Sequence, residues 1–146
     1  MTTFFRRYGL YFSWLITCIA FVGSLYFSDI RHHEPCHLCW YQRICLFPLI
    51  FILGIACYRG FRGIGIYVLP LVVIGLLFAI YQIAIQEIPG WNPIDMCGAG
   101  PSCSERVEIG LGFITLPMLS ALAFLAIILL LGGTLSADKK KIVQRT

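Results

Sequence analysis

Four cysteines in this chain are spaced for sulfur chemistry. Cys36 and Cys39 form a C-x-x-C pair behind Pro35, while Cys97 and Cys103 bracket Gly98, Ala99, Gly100, Pro101 and Ser102. The first spacing closes a tight ring. If a helix begins near Cys39, its sulfur lies by the orphan backbone donors and the positive end of the helix dipole, which favours a thiolate and makes it a better leaving group. The second segment bends freely enough to bring its two sulfurs together. Two alternatives stand beside dithiol exchange. One is a static staple, although structural disulfides usually close longer loops, where the entropic gain is larger. The other is a zinc or copper site, since His32, His33 and His37 surround the first pair in HHEPCHLC; an oxidising compartment competes with it by pairing the thiols. Covalent haem attachment is excluded, because it requires His directly after the second cysteine and Trp40 stands there.

Arg43 follows Cys39 by four residues, so on a helix the two share a face with about 6 Å of rise between them. A guanidinium there stabilises a thiolate or the oxygen of a reduced ring. The alternative is a side chain that snorkels to the membrane interface. Cys18, Cys45 and Cys57 lie in apolar runs and read as small packing residues.

The elements that position these residues are membrane spans. The chain has 146 residues, 59% of them hydrophobic and 12% charged, against about 25% charged in a soluble domain. With a mean hydropathy of +0.85, this excludes a free globular enzyme, a disordered chain and a nucleic-acid binder. Charge is absent from 8–28, 63–86 and 109–137, and from the shorter run 44–58. A crossing helix needs about 20 apolar residues, so the fourth run has to start near Trp40 and accept Arg43 at its edge. The expected architecture is an all-α membrane protein, a single domain over 1–146, with four transmembrane helices at about 8–28, 40–58, 63–86 and 111–135. Two outer loops, at about 29–39 and 87–110, carry the cysteine pairs. Pro48, Pro70 and Pro117 mark kinks rather than breaks.

The bases orient this bundle. Arg6, Arg7, Arg59, Arg62, Lys139, Lys140, Lys141 and Arg145 fall on one side, and only Arg31, Arg43 and Arg106 of the eleven fall on the other. Lys and Arg stay cytoplasmic in short connections, so both termini are expected inside and both cysteine loops outside, where disulfides persist. The first run is longer than a signal core and no small-x-small site follows it, so it is expected to be retained. Ile88, Pro89, Trp91, Pro93 and Ile94 are too apolar for a solvated loop and are expected to rest on the membrane surface near the first pair.

The run CHLCWYQR from Cys36 to Arg43, leading into ICLFPL, closely resembles the signature of the disulfide bond formation protein B (DsbB) family, most of all its short BdbC-type members. The resemblance covers the chain: four spans, both termini inside, a C-x-x-C opening the second helix and a later cysteine pair, here with a shorter intervening loop than in the longer members. It implies a relay in the plasma membrane. An extracytoplasmic thioredoxin-like thiol oxidase, of the DsbA or BdbD kind, is reoxidised by Cys97/Cys103, with Cys97 receiving the attack. That pair is reoxidised by Cys36/Cys39. Cys39 meets a quinone, menaquinone or ubiquinone, that Arg43 holds, and electrons pass to the membrane quinone pool. No metal is implied. Two rivals are a vitamin K epoxide reductase-like protein, whose active C-x-x-C lies on a late helix where this chain has no cysteine, and a non-enzymatic metal-binding or transport protein. A transporter of charged substrates would place an ionisable residue deep in a span, and apart from Arg43 none is present.

Overall fold

The computed structural model of the chain describes residues 2–30, 36–61, 63–88 and 115–143, with side chains over 8–30, 36–61, 63–88 and 115–136. Four helices account for nearly all of it: α1 (Thr2–Leu25), α2 (His37–Arg59), α3 (Ile64–Glu87) and α4 (Leu116–Val143). All four contain stretches long and apolar enough to cross a membrane, over Tyr8–Ile30, His37–Arg59, Ile64–Glu87 and Leu116–Ser136. The first stretch outlasts α1 because the helix widens into a π-helical turn at Tyr26–Ile30. α1 packs on α2 and α4, and α3 packs on the same two, which closes the helices into a ring.

Inward faces follow a spacing of three and four residues. In α3 the buried set runs Val68, Val72, Gly75, Ala79, Gln82 and Gln86, and in α2 it runs Leu38, Gln42, Cys45, Leu49, Leu53 and Ala56. That is the seam of a helical bundle. The outward faces are equally apolar, with Ile19, Phe51, Ile55, Ile66, Tyr67 and Leu129 among the exposed residues. Apolar residues on both faces are what a helix between protein and lipid requires.

Close approach depends on small residues. Gly75 on α3 faces the buried Phe124 of α4, and a Cβ there would lie 2.5 Å from Phe124 Cζ. Gly54 on α2 makes room for Trp14 of α1, whose Nε1 donates to the Ile50 carbonyl at 3.1 Å. Gly75→Ala is therefore expected to cost about 1–3 kcal/mol by overpacking, read as a lowered unfolding temperature in detergent. Adding Phe124→Leu should recover most of the loss. A Gly75→Ala protein as stable as the parent would mean that the Phe124 ring has room to move.

The turn between α2 and α3 is short. Gly60 closes α2 in the left-handed conformation, φ 66°, and Phe61 N–H donates back to the Ala56 carbonyl at 3.0 Å. Glycine takes that φ without the Cβ penalty. α2 opens at His37, three residues ahead of where hydropathy alone would start it. At the head of α4, Pro117 occupies the first turn, where a missing N–H costs nothing, and the Thr115 carbonyl accepts from Met118 at 3.1 Å.

Candidate functional site

Alternating helix directions bring the end of α1, the start of α2, the end of α3 and the start of α4 to one end of the bundle. Cys36 sits there as the N-cap of α2, with extended backbone, and Cys39 falls in the first helical turn. Their sulfurs are 3.1 Å apart. Cys36 is buried and Cys39 is part-exposed. Leu38 and Ile85 are buried around them, with Phe78 and Tyr81 packed alongside. The Cys36 thiol is pushed above its ordinary range, first by its hydrogen bond with Cys39, then by burial and by charge on Cys39. Cys36 thus keeps its proton and shares it with its neighbour.

A chain of polar side chains, drawn from three helices, ends on these sulfurs. Ser120 Oγ of α4 donates to Gln42 Oε1 of α2 at 2.7 Å, or its one proton turns to the Pro117 carbonyl at 2.9 Å. Gln42 Nε2 donates to Gln82 Oε1 of α3 at 2.8 Å. Gln82 Nε2 then lies 3.3 Å from both Cys36 Sγ and Cys39 Sγ. Gln42 and Gln82 are buried, so water does not replace these bonds.

Arg43 is buried as well. Its guanidinium is held by the end of the first span: Nε donates to Ser24 Oγ at 2.7 Å, and Nη2 donates to the Ser24 carbonyl and to Ser28 Oγ. It also lies 5.6 Å from the centroid of the Trp40 ring. The cation is one turn from Cys39, as the spacing requires, but its hydrogen bonds run to α1. Ser28 belongs to the π-helical turn, and such turns recur where a helix is adapted to a site.

Of the residues singled out from the sequence, Cys36, Cys39 and Arg43 thus share one end of the bundle. Cys97, Cys103 and Arg106 lie outside the described residues, as do His32 and His33. Among the described residues no three His, Cys, Asp or Glu gather as a metal would need, and His37 is exposed. Cys45 is buried in the main core, and Cys57 packs partly against it. Sequence reasoning missed Gln42, Gln82, Ser24, Ser28 and Ser120. Gln82 and Gln86 did carry a signal: uncharged amides one turn apart in an otherwise apolar span face the bundle interior, where polar groups do work.

A sequence model of the disulfide bond formation protein DsbB matches residues 6–134. Among curated relatives, a probable disulfide formation protein of Coxiella burnetii is 55% identical over 121 residues, 82% of either chain. One of Chlamydia muridarum is 54% identical over 127 residues, 87% of this chain and 92% of its own. Another, of Chlamydia caviae, is 53% identical over 141 residues, 97% of this chain and all of its own. No solved structure matches the chain.

Proposed function

Because this chain belongs to the DsbB family of disulfide bond formation proteins, and so is a membrane oxidoreductase of disulfide formation, we propose that it carries electrons from an extracytoplasmic thioredoxin-like thiol oxidase to membrane quinone. The observation that supports this most is the Cys36/Cys39 pair, sulfurs 3.1 Å apart at the head of a membrane helix, with a buried guanidinium one turn further on.

The steps are thiol–disulfide exchanges. A thiolate of the reduced partner attacks Cys97 of a Cys97–Cys103 disulfide, which forms a mixed disulfide and releases Cys103 as thiolate. The partner's second thiol attacks its own sulfur in that mixed disulfide, so the partner leaves oxidised and Cys97 and Cys103 remain as thiols. That dithiol reduces a Cys36–Cys39 disulfide by the same chemistry. The net transfer is two electrons and two protons. Cys36 holds one of those protons against Cys39, and the Gln82 amide faces both sulfurs as they gain charge.

The residues present suit a quinone, an apolar ring bearing two carbonyl acceptors. Arg43 supplies N–H donors, Cys39 is part-exposed, and Trp40, Tyr41 and Ile44 are exposed on the same stretch of α2. Arg43 would hold an oxygen of the ring, with Cys39 as its redox contact. A quinone bound there, menaquinone or ubiquinone, supplies a two-electron, two-proton acceptor. The bias of bases supports termini in the cytoplasm and a site facing outward, in the plasma membrane.

The partner step is tested with a thioredoxin-like oxidase whose resolving cysteine is replaced, so the covalent intermediate cannot collapse. Peptide mapping should place the partner on Cys97. An adduct mainly on Cys103 would reverse the two roles, and one on Cys36 would remove the second pair from the relay.

A further inference from the structure

A glutamine amide can turn either end to its surroundings, and here its direction is set from far away in the chain. With its proton on Gln42 Oε1 at 2.7 Å, a shorter contact than the 2.9 Å to the competing Pro117 carbonyl, Ser120 holds Gln42 with Oε1 toward α4. Gln42 Nε2 then occupies Gln82 Oε1, and what remains for the sulfurs is the Gln82 NH2, at 3.3 Å from each. Cys39 Sγ also lies 3.7 Å from Gln82 Oε1, a longer and weaker contact. Gln82 is 3% exposed and Gln42 is 7% exposed, so a donor lost here is not replaced by solvent.

We propose that Gln82 is a catalytic residue of the Cys36/Cys39 pair, its NH2 held toward both sulfurs by the positioning residues Gln42 and Ser120 so that the dithiol is favoured over the disulfide. A thiol or thiolate sulfur accepts a hydrogen bond better than a disulfide sulfur, so two buried N–H donors weigh on the reduced side. A dithiol stabilised in this way makes its disulfide a stronger oxidant. The network thereby draws electrons into the Cys36/Cys39 pair from whatever dithiol meets it. The proposal rests on the reading above only in that this pair cycles between dithiol and disulfide. The identities of partner and acceptor do not enter.

The measurement is the equilibrium of the pair with glutathione: the disulfide and two glutathione thiols give the dithiol and glutathione disulfide. It is made on the full chain carrying Cys97→Ala and Cys103→Ala, read by differential alkylation of the peptide that holds Cys36 and Cys39. Gln82→Met keeps the length and loses the donors; it is expected to lower the reduced-to-oxidised ratio about tenfold at a given glutathione poise. Gln42→Met touches neither sulfur but frees the Gln82 amide to turn, and should shift the ratio about threefold in the same direction. Helix content should be unchanged in both. A Gln82→Met ratio equal to the parent's, or raised above it, overturns the proposal. So does an unchanged Gln42→Met, which also decides the matter if Gln82→Met fails to fold. If the parent pair itself does not interconvert with glutathione, the redox reading of Cys36/Cys39 falls with it; if the parent does and the variants match it, only the role of Gln82 falls.

Discussion

Cys39→Ala is expected to abolish reoxidation of a thioredoxin-like dithiol by quinone, with a loss on the order of a thousandfold or more, and Cys36→Ala is expected to do the same. The two sulfurs form a unit, because neither can accept an electron pair by opening a disulfide, or give one up by closing it, without the other. The double variant Cys36→Ala/Cys39→Ala should therefore be no slower than either single one. The check is quinone reduction followed optically in purified protein, with the reduced partner as donor. Thiol titration should show the singles still folded, since Cys36 and Cys39 sit in the small cluster around Leu38 and Ile85, apart from the main core. A single variant that retained a tenth of the parent rate would move the redox centre elsewhere.

The second large effect is expected at Arg43. Arg43→Ala should raise the apparent KM for a short-chain soluble quinone by about ten- to a hundredfold, the worth of a hydrogen bond from a charged donor, while exchange between the two cysteine pairs proceeds largely as before. Stability should fall less than burial alone suggests. Ser24 and Ser28, left without the guanidinium, can turn their hydroxyls to carbonyls of their own helix, as Ser13 and Thr17 already do toward Gly9 and Ser13. Arg43→Lys should recover only part of the affinity, because one ammonium cannot span the Ser24 hydroxyl, the Ser24 carbonyl and Ser28 as the planar fork does. Unchanged quinone kinetics in Arg43→Ala would assign the guanidinium to holding α1 against α2 and nothing more.

The uncharged runs made the four helices legible, because a membrane leaves a helix no choice but to be apolar over its whole crossing. The chemistry at Cys36 and Cys39 was legible for a different reason, since C-x-x-C has few uses and Arg43 is a costly residue to place beside it. The start of α2 was less so: hydropathy discounts His37, whereas a first turn needs only an extended residue such as Cys36 before it. The π-helical turn at Tyr26–Ile30 left no mark in composition. Gln42 and Ser120 were hidden more deeply, for they are 78 residues apart and matter only once α2 and α4 stand side by side. Phe124 against Gly75 is hidden in the same way, as a match of volumes between two helices.

When Ser120 gives its proton to Gln42 rather than to the Pro117 carbonyl, the donors from Ser120 through Gln42 to Gln82 all point the same way. Their dipoles add head to tail, so a change at the sulfur end repolarises the whole row. Oxidising the pair weakens the acceptor at one terminus and slackens the carbonyl bonds behind it, out to the first turns of α4. The side-chain carbonyl stretches of isotope-labelled Gln42 and Gln82 therefore form a built-in infrared gauge of the redox state, readable without a dye, a partner or a chemical trap.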